Sequence, residues 1–415
     1  MSSRRASSRH QHARTDRPFR PADPPAATNA SSAGVPGTEL RRYGWTASDE
    51  TRFAPRRTAG LIPARILRRD RDRCDLVTER GTANARIGLT HASDAHLTPC
   101  TGDWVALSTA ADPTIVELLT RHSALVRSSA SGRSEGQVLA ANIDIVLVVA
   151  TLSTEPDLGR LERLLTLAWE SGARPLIVLT KADLLVDGSR DGAARALAAV
   201  TAAAPGVDIL TVSAFDGTGL AALRDELAAG AAADPTGSGP TPGEAVLGGR
   251  SAVLVGPSGV GKSTLVNALL GEEKLAVGRV RPQDGKGRHT TVRRELVPLP
   301  SGGILIDTPG LRGIGVWDVD SGLDATFAEI TELAADCRYG DCEHRTEPGC
   351  AVLAAIEDGT LPERRLASYR RLLRENAWLQ SRRDARLAAE LLRPWKKIEL
   401  EQRRLYADRA RRERR

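Results

Sequence analysis

The stretch SAVLVGPSGVGKSTLVNALLG (251–271) constrains the fold more than any other part of the chain. An apolar run leads into a glycine-punctuated loop, and the loop leads into a helical run. The loop itself, Gly256-Pro257-Ser258-Gly259-Val260-Gly261-Lys262-Ser263, has the spacing G-x-x-x-x-G-K-[ST]. Its glycines let successive backbone N–H groups curl round phosphate oxygens, at a helix N-terminus that favours anions. Lys262 is expected to reach the β- and γ-phosphates. The hydroxyl of Ser263, with Thr264 beside it, is expected to meet magnesium and the phosphates. Such a loop needs a buried strand before it and a helix after it, so a wound α/β layer must surround it.

The rest of the chain supplies that layer. IDIVLVVA (143–150) is a continuous apolar run, as a strand buried on both faces requires. Further runs are PLIVL (175–179), DILTVSA (208–214) and GILIDT (303–308), separated by helical stretches such as LGRLERLLTLAWESG. We expect a doubly wound α/β domain over 140–330, interrupted at 229–249 by a Gly/Pro/Ala-rich linker. Ahead of it, GLIPARIL, CDLVTE, ANARIGL, DWVAL and TIVELL read as short strands punctuated by Gly, Pro and Asp. They predict an OB-like β-barrel over 61–130, a fold that commonly binds oligonucleotides. Residues 1–60 are rich in Ser, Arg, Pro and Ala and are expected to form a disordered basic tail.

Two further motifs close the α/β domain. Asp307-Thr308-Pro309-Gly310 ends an apolar strand 44 residues beyond Ser263. Asp307 there is the expected second magnesium anchor, and the Gly310 N–H is free of a side chain that would block a γ-phosphate. Thr180-Lys181-Ala182-Asp183 follows another strand. The Asp183 carboxylate can accept from guanine N1 and N2, which adenine cannot supply, while the Lys181 stem lies along the base. Thr180 stands where GTPases usually carry Asn, and its hydroxyl is expected to replace part of the amide's bonding. Val212-Ser213-Ala214 ends the next strand, its backbone N–H groups directed at guanine O6. Gly287-Arg288-His289-Thr290-Thr291 sits where a first switch belongs, with Thr290 or Thr291 closing on magnesium and the γ-phosphate. Many GTPases orient the attacking water with a Gln just after D-x-x-G. Here that position is Leu311, so slow unassisted hydrolysis is expected, with His289 the candidate to orient water.

Behind this domain lies CRYGDCEHRTEPGC. Cys337, Cys342, His344 and Cys350 make the three-thiolate, one-imidazole set of a closed structural zinc site. Disulfide pairing would leave an odd thiol and ignore His344. Cys74 and Cys100 lie far away and read as ordinary buried residues. From 361 on, the chain reads as helices, with Trp378, Trp395 and Tyr406 as packing residues. Net charge is +6, but unevenly spread: residues 1–60 hold 11 Arg against 5 acids, and 361–415 hold 18 Lys/Arg against 8. Residues 61–360 therefore carry −10, an acidic body with basic ends that suit a polyanion. No apolar run is long enough to span a membrane and no secretory h-region opens the chain.

In chain order the base motif precedes the phosphate loop, the reverse of an ordinary GTPase. This order resembles the circularly permuted GTPases. With the β-barrel in front and the Cys/His cluster behind, residues 60–400 closely resemble the ribosome small-subunit-dependent GTPase A family. The resemblance implies a multidomain protein: an N-terminal OB-like β-barrel, a circularly permuted P-loop GTPase α/β domain, and a C-terminal zinc-binding α-helical domain over 331–415. It implies a cytoplasmic, monomeric GTP hydrolase that holds one structural Zn2+ and uses Mg2+ with GTP. Its partners would be the small ribosomal subunit and its rRNA, with GTP favouring the bound state in late subunit maturation. The alternative is a nucleotide-gated RNA-binding module with negligible turnover. An ATP-using enzyme is disfavoured by Asp183.

Overall fold

The computed structural model describes residues 38–89, 97–128, 136–152, 155–185, 190–229, 248–271, 294–307 and 320–381. Two helices come first, α1 (Thr38–Arg42) and α2 (Ala47–Thr58). α2 starts on a capping box: Thr46 Oγ1 accepts from the Asp49 N–H (3.2 Å) and the Asp49 carboxylate from the Thr46 N–H (2.9 Å). Leu40, Trp45 and Phe53 are buried with Trp104, and the Trp45 and Trp104 rings meet edge-on at 4.7 Å. The expected tail through residue 60 is thereby corrected for residues 38–58. Composition averaged over the segment hides a few apolar anchors, and these find a complementary face on the barrel.

The barrel strands are β1 (Ile62–Asp70), β2 (Arg73–Thr78), β3 (Gly81–Ile87), β4 (Trp104–Ser108) and β5 (Thr114–Leu118). They close in the order β1-β2-β3-β5-β4, with β3 and β5 parallel and the other pairs antiparallel. This is the expected five-stranded OB-like closure. Alternating residues fill the inside, Ala64 and Ile66 from β1, Cys74 and Leu76 from β2, Val105 and Leu107 from β4. Burial pushes the Cys74 thiol up to about 12 and raises that of Cys100, so both behave as small apolar residues. A hairpin of β6 (Ala124–Ser128) and β7 (Gly136–Ala141) follows, too short and too mixed in pattern to be anticipated.

The α/β layer comprises β8 (Ile145–Thr151), α3 (Leu158–Glu170), β9 (Arg174–Thr180), α4 (Arg190–Ala203), β10 (Ile209–Thr211), α5 (Leu220–Ala228), β11 (Ser251–Val255), α6 (Lys262–Leu270), β12 (Glu295–Pro298) and β13 (Ile304–Asp307). The sheet order is β10-β9-β8-β11-β13-β12, parallel except for edge strand β12. Apolar cores cover both faces, one around α3 and α4, the other around α5 and α6. The two halves of the permuted chain meet at β8 and β11, in register from Ile145↔Ala252 to Val148↔Val255. The flanks of the interrupting segment also meet, the Arg250 N–H donating to the Leu227 carbonyl at 2.8 Å. Residues 230–247 thus bridge ends that already touch, which is why the sheet tolerates this chain order.

Four helices end the described chain: α7 (Asp320–Thr326), α8 (Ala328–Ala335), α9 (Ala351–Glu357) and α10 (Glu363–Ser381), packed round Phe327, Ile330, Val352 and Leu372. Trp378, expected to pack, is instead 56% exposed. Trp395 and Tyr406 lie outside the described residues. Among the described residues no helix is long and apolar enough to cross a membrane.

Two buried arginines tie these layers together. Arg65 of β1 donates to the carbonyls of Tyr43, Gly102 (3.2 Å) and Asn142 (3.0 Å) and to Ser251 Oγ (3.0 Å). One guanidinium therefore joins the N-terminal helices, the barrel and the first residue of β11. Arg365 of α10 donates to Glu162 of α3 (2.8 Å), to Glu329 (2.7 Å) and to the carbonyls of Ala203 and Thr326. Glu162 also accepts from Arg364 (2.8 Å) and Ser368 (2.5 Å), and its side chain is fully buried. A buried ion pair of this kind adds little over an apolar pair, but removing one member strands the other. Glu162→Ala should therefore lower unfolding stability by about 3–5 kcal/mol in urea titration, and Glu162→Gln by less.

Candidate nucleotide site and metal centre

The phosphate loop is shaped by two backbone constraints. β11 is buried throughout, and where it ends Gly256 lies hard against β8. A Cβ there would stand 2.3 Å from the Val149 carbonyl oxygen, so no other residue fits. At the far end Gly261, at φ 93°, caps α6 without a side-chain acceptor, and the first turn carries no acidic residue. Gly261 thus adds no side-chain cap to α6, whose N-terminus carries the positive end of the helix dipole that favours an anion. Lys262 opens α6 and donates to the carbonyls of Gly256 (2.8 Å) and Pro257 (2.7 Å), folded over the loop it is expected to serve. Ser263 and Thr264 follow in the same turn, and Val260 is buried under α6, an anchor for the loop between Ser258-Gly259 and Gly261.

The guanine motif lies against this loop. Thr180 ends β9 and is buried, its Oγ1 donating to the Val260 carbonyl at 2.5 Å and lying 3.2 Å from the Ala150 carbonyl. The hydroxyl standing where GTPases usually carry Asn is turned into the phosphate loop, where it bonds the two motifs together. Lys181 adopts φ 62° and its Nζ donates to the Gly259 carbonyl at 2.9 Å, so its stem crosses the loop. Asp183, in a short 3-10 turn, accepts from Ser213 Oγ at 2.8 Å. Ser213 and Ala214 follow the end of β10, so both base-reading segments converge on one side of the loop.

Asp307 is the last residue of β13, the parallel neighbour of β11. Ser263 and Asp307 thus follow the carboxyl ends of adjacent strands, and their hard oxygen donors suit Mg2+. His289, Thr290, Thr291, Thr308, Pro309, Gly310 and Leu311 lie outside the described residues.

Cys337, Cys342, His344 and Cys350 gather at the far side of the helical cluster, all four ligand atoms within 4.8 Å of one another. Cys337 Sγ is 3.8 Å from Cys350 Sγ and 3.6 Å from His344 Nδ1, and His344 Nδ1 is 3.4 Å from Cys350 Sγ. A tetrahedron with Zn–S bonds of about 2.3 Å has S–S edges of about 3.8 Å, whereas a disulfide needs about 2 Å. The donor set therefore fits zinc. Burial, then the nearby Arg370 charge, lower the His344 pKa and favour the neutral imidazole that a metal requires. Protein groups also brace the turn: Glu347 accepts from the N–H groups of Glu343 (3.0 Å), Arg345 (2.5 Å) and Thr346 (2.9 Å).

The family described as RsgA GTPase matches residues 118–239 and 232–317. The small ribosomal subunit biogenesis GTPase RsgA of Streptomyces avermitilis is 52% identical over 86% of this chain and 90% of its own. The chain belongs to the RsgA GTPase family. A protein of Lactiplantibacillus plantarum named small ribosomal subunit biogenesis GTPase RsgA 2 is 40% identical over 82% of this chain and 90% of its own. The crystal structure of YjeQ from Thermotoga maritima shares the fold, with TM-score 0.53 and 22% identity over 76% of this chain and 98% of that one. So does YloQ, described as a circularly permuted GTPase, with TM-score 0.50 and 21% identity over 78% and 96%. Membership of the RsgA family makes the chain a GTP hydrolase and accounts for the strand order: the permutation read from motif order is a family fold.

Two outcomes follow for this RsgA chain. Thr180→Val removes the donor to Val260 while keeping the shape, and should weaken GDP binding about fivefold, a hydrogen bond's worth of about 1 kcal/mol. Titration calorimetry measures it. The purified protein should hold one zinc per chain, and Cys342→Ser should lose it, lowering the melting temperature with GDP binding retained. Metal analysis finding no zinc in either protein would remove the metal centre.

Proposed function

We propose that this GTPase binds the small ribosomal subunit and hydrolyses GTP, stimulated by the subunit, during late subunit maturation. The observation that carries the reading is the name shared by relatives 52% and 40% identical over most of the chain, in a protein that retains the guanine and phosphate motifs as one bonded unit. The basic ends suit rRNA phosphates. The chain would act as a cytoplasmic monomer with one structural zinc.

In this reading the phosphate-loop amides and Lys262 hold the β- and γ-phosphates, and Asp183 with the backbone at Ser213 and Ala214 reads guanine. Ser263 and Asp307, with Thr290 or Thr291, would hold magnesium, which supplies charge neutralisation at the phosphates. Leu311 offers no group to orient water, so His289 is assigned that role in the subunit-bound state. The same Leu311 favours the second reading, an RNA-binding switch with negligible turnover.

GTP turnover with and without small subunits separates the two: stimulation supports hydrolysis, and a flat low rate supports the switch. His289→Ala should lose most of the stimulated rate, about 10²–10⁴-fold for a positioned group, with GTP binding intact. Lys262→Ala should lose binding and turnover together. Full stimulated turnover in His289→Ala would assign water positioning to the subunit.

A further inference from the structure

Phe215 is 89% exposed, more than any other large apolar side chain among the described residues, and Leu184 follows at 70%. Both stand immediately beyond base-reading residues: Leu184 after Asp183, and Phe215 after Ser213-Ala214. The Ser213–Asp183 hydrogen bond of 2.8 Å brings the two loops together at the point where a guanine edge would be read. The Phe215 N–H donates to Ser213 Oγ at 3.2 Å, so the phenyl-bearing backbone lies within one residue's reach of the Asp183 carboxylate.

The loop holding Phe215 is organised entirely by its own polar groups. Ser213 N–H donates to the Thr218 carbonyl (2.9 Å), Gly217 N–H to the Ser213 carbonyl (3.1 Å), and Asp216 N–H to Ser213 Oγ (3.3 Å). Thr218 N–H donates to Asp216 Oδ1 (2.9 Å). Gly219 then returns the chain at φ 70°, so close to the Thr211 carbonyl that a Cβ would stand 2.1 Å away. None of these bonds uses the phenyl ring, which is left with no packing role of its own on a backbone that they hold close to Asp183. An exposed aromatic side chain in that position can serve as a stacking platform, because every base has a π-face.

The geometry points to Phe215 as a further nucleotide-binding residue, one that covers the guanine ring while Asp183 reads its edge and the Lys181 stem lies along it. It rests on the guanine-nucleotide reading of the site and adds a contact that no motif spacing specifies. Leu184 extends the apolar rim. Stacking does not depend on the exocyclic groups of the purine, so Phe215 contributes affinity equally to guanine and hypoxanthine nucleotides, and Asp183 supplies the discrimination.

The test is titration calorimetry of the full chain with GDP, GTP and IDP. Phe215→Ala should weaken all three by one common factor, about 5- to 100-fold, leaving the GDP/IDP ratio unchanged. Phe215→Trp should restore affinity, and its added exposed indole should be quenched on GDP addition beyond any change in the unsubstituted protein. Unchanged affinities in Phe215→Ala, or no added quenching in Phe215→Trp, would overturn the assignment while leaving the guanine site standing. Unchanged affinities with a lost subunit-stimulated rate would make Phe215 a subunit contact and overturn it equally. Absence of GDP binding in the unsubstituted chain would remove the guanine reading and this inference together.

Discussion

The parallel seam between β8 and β11 is the contact on which the structure depends. Four consecutive residues of each strand are in register, and every one of them is buried. Burying a Val or Leu side chain is worth about 1.5–3 kcal/mol, and the seam contributes such residues to the cores on both faces of the sheet. It also joins chain segments more than 100 residues apart and sets the height at which β11 ends. Because it ends against Val149, the following residue must be Gly256, and the phosphate loop begins where β8 allows it.

Function follows from the same seam. β9 pairs with the other edge of β8, so Thr180 arrives beside the loop that leaves β11 and bonds the Val260 carbonyl. The Thr180–Asp183 segment and the 256–263 loop are thereby bonded directly despite their reversed order in the chain. Buried guanidinium groups stand where the outer modules attach to the α/β layer, joined on the helical side by Arg364, Ser368 and Glu375. Arg65 fastens the barrel and N-terminal helices at the start of β11. Arg365 fastens the helices that carry the Cys/His cluster to α3, with Glu162 as the shared acceptor. Directional bonds of this sort specify one relative placement, which a nonpolar contact surface would leave freer to slide.

The Cys/His cluster is likewise held by polar contacts. Its ligands come from a loop and the start of α9, and their positions are prepared by the Glu347 turn and by Arg370 donating to the His344 carbonyl. α10, which supplies Arg370, also supplies Arg365. The Cys/His cluster and the attachment to α3 therefore share one helix.

Much of this was legible in the sequence because it depends on short-range rules. The five barrel strands, the phosphate loop, the guanine motif, the Cys/His spacing and even the permuted order all follow from local periodicity and motif geometry. The folded stretch 38–58 did not, since Leu40, Trp45 and Phe53 count as core only once Trp104 is brought to them. Nor did the role of Thr180, because a hydroxyl's partner is whichever carbonyl lies nearest, and Val260 is 80 residues away in the chain. Glu162 and Arg365 read as surface charges on amphipathic helices until packing removes water from both. Sequence by itself determined the motifs, their order and most of the elements, though not α1, α2 or the β6–β7 hairpin. Tertiary structure alone decided which polar groups pair across those elements, because pairing depends on distances that are set only when the sheet closes along β8 and β11.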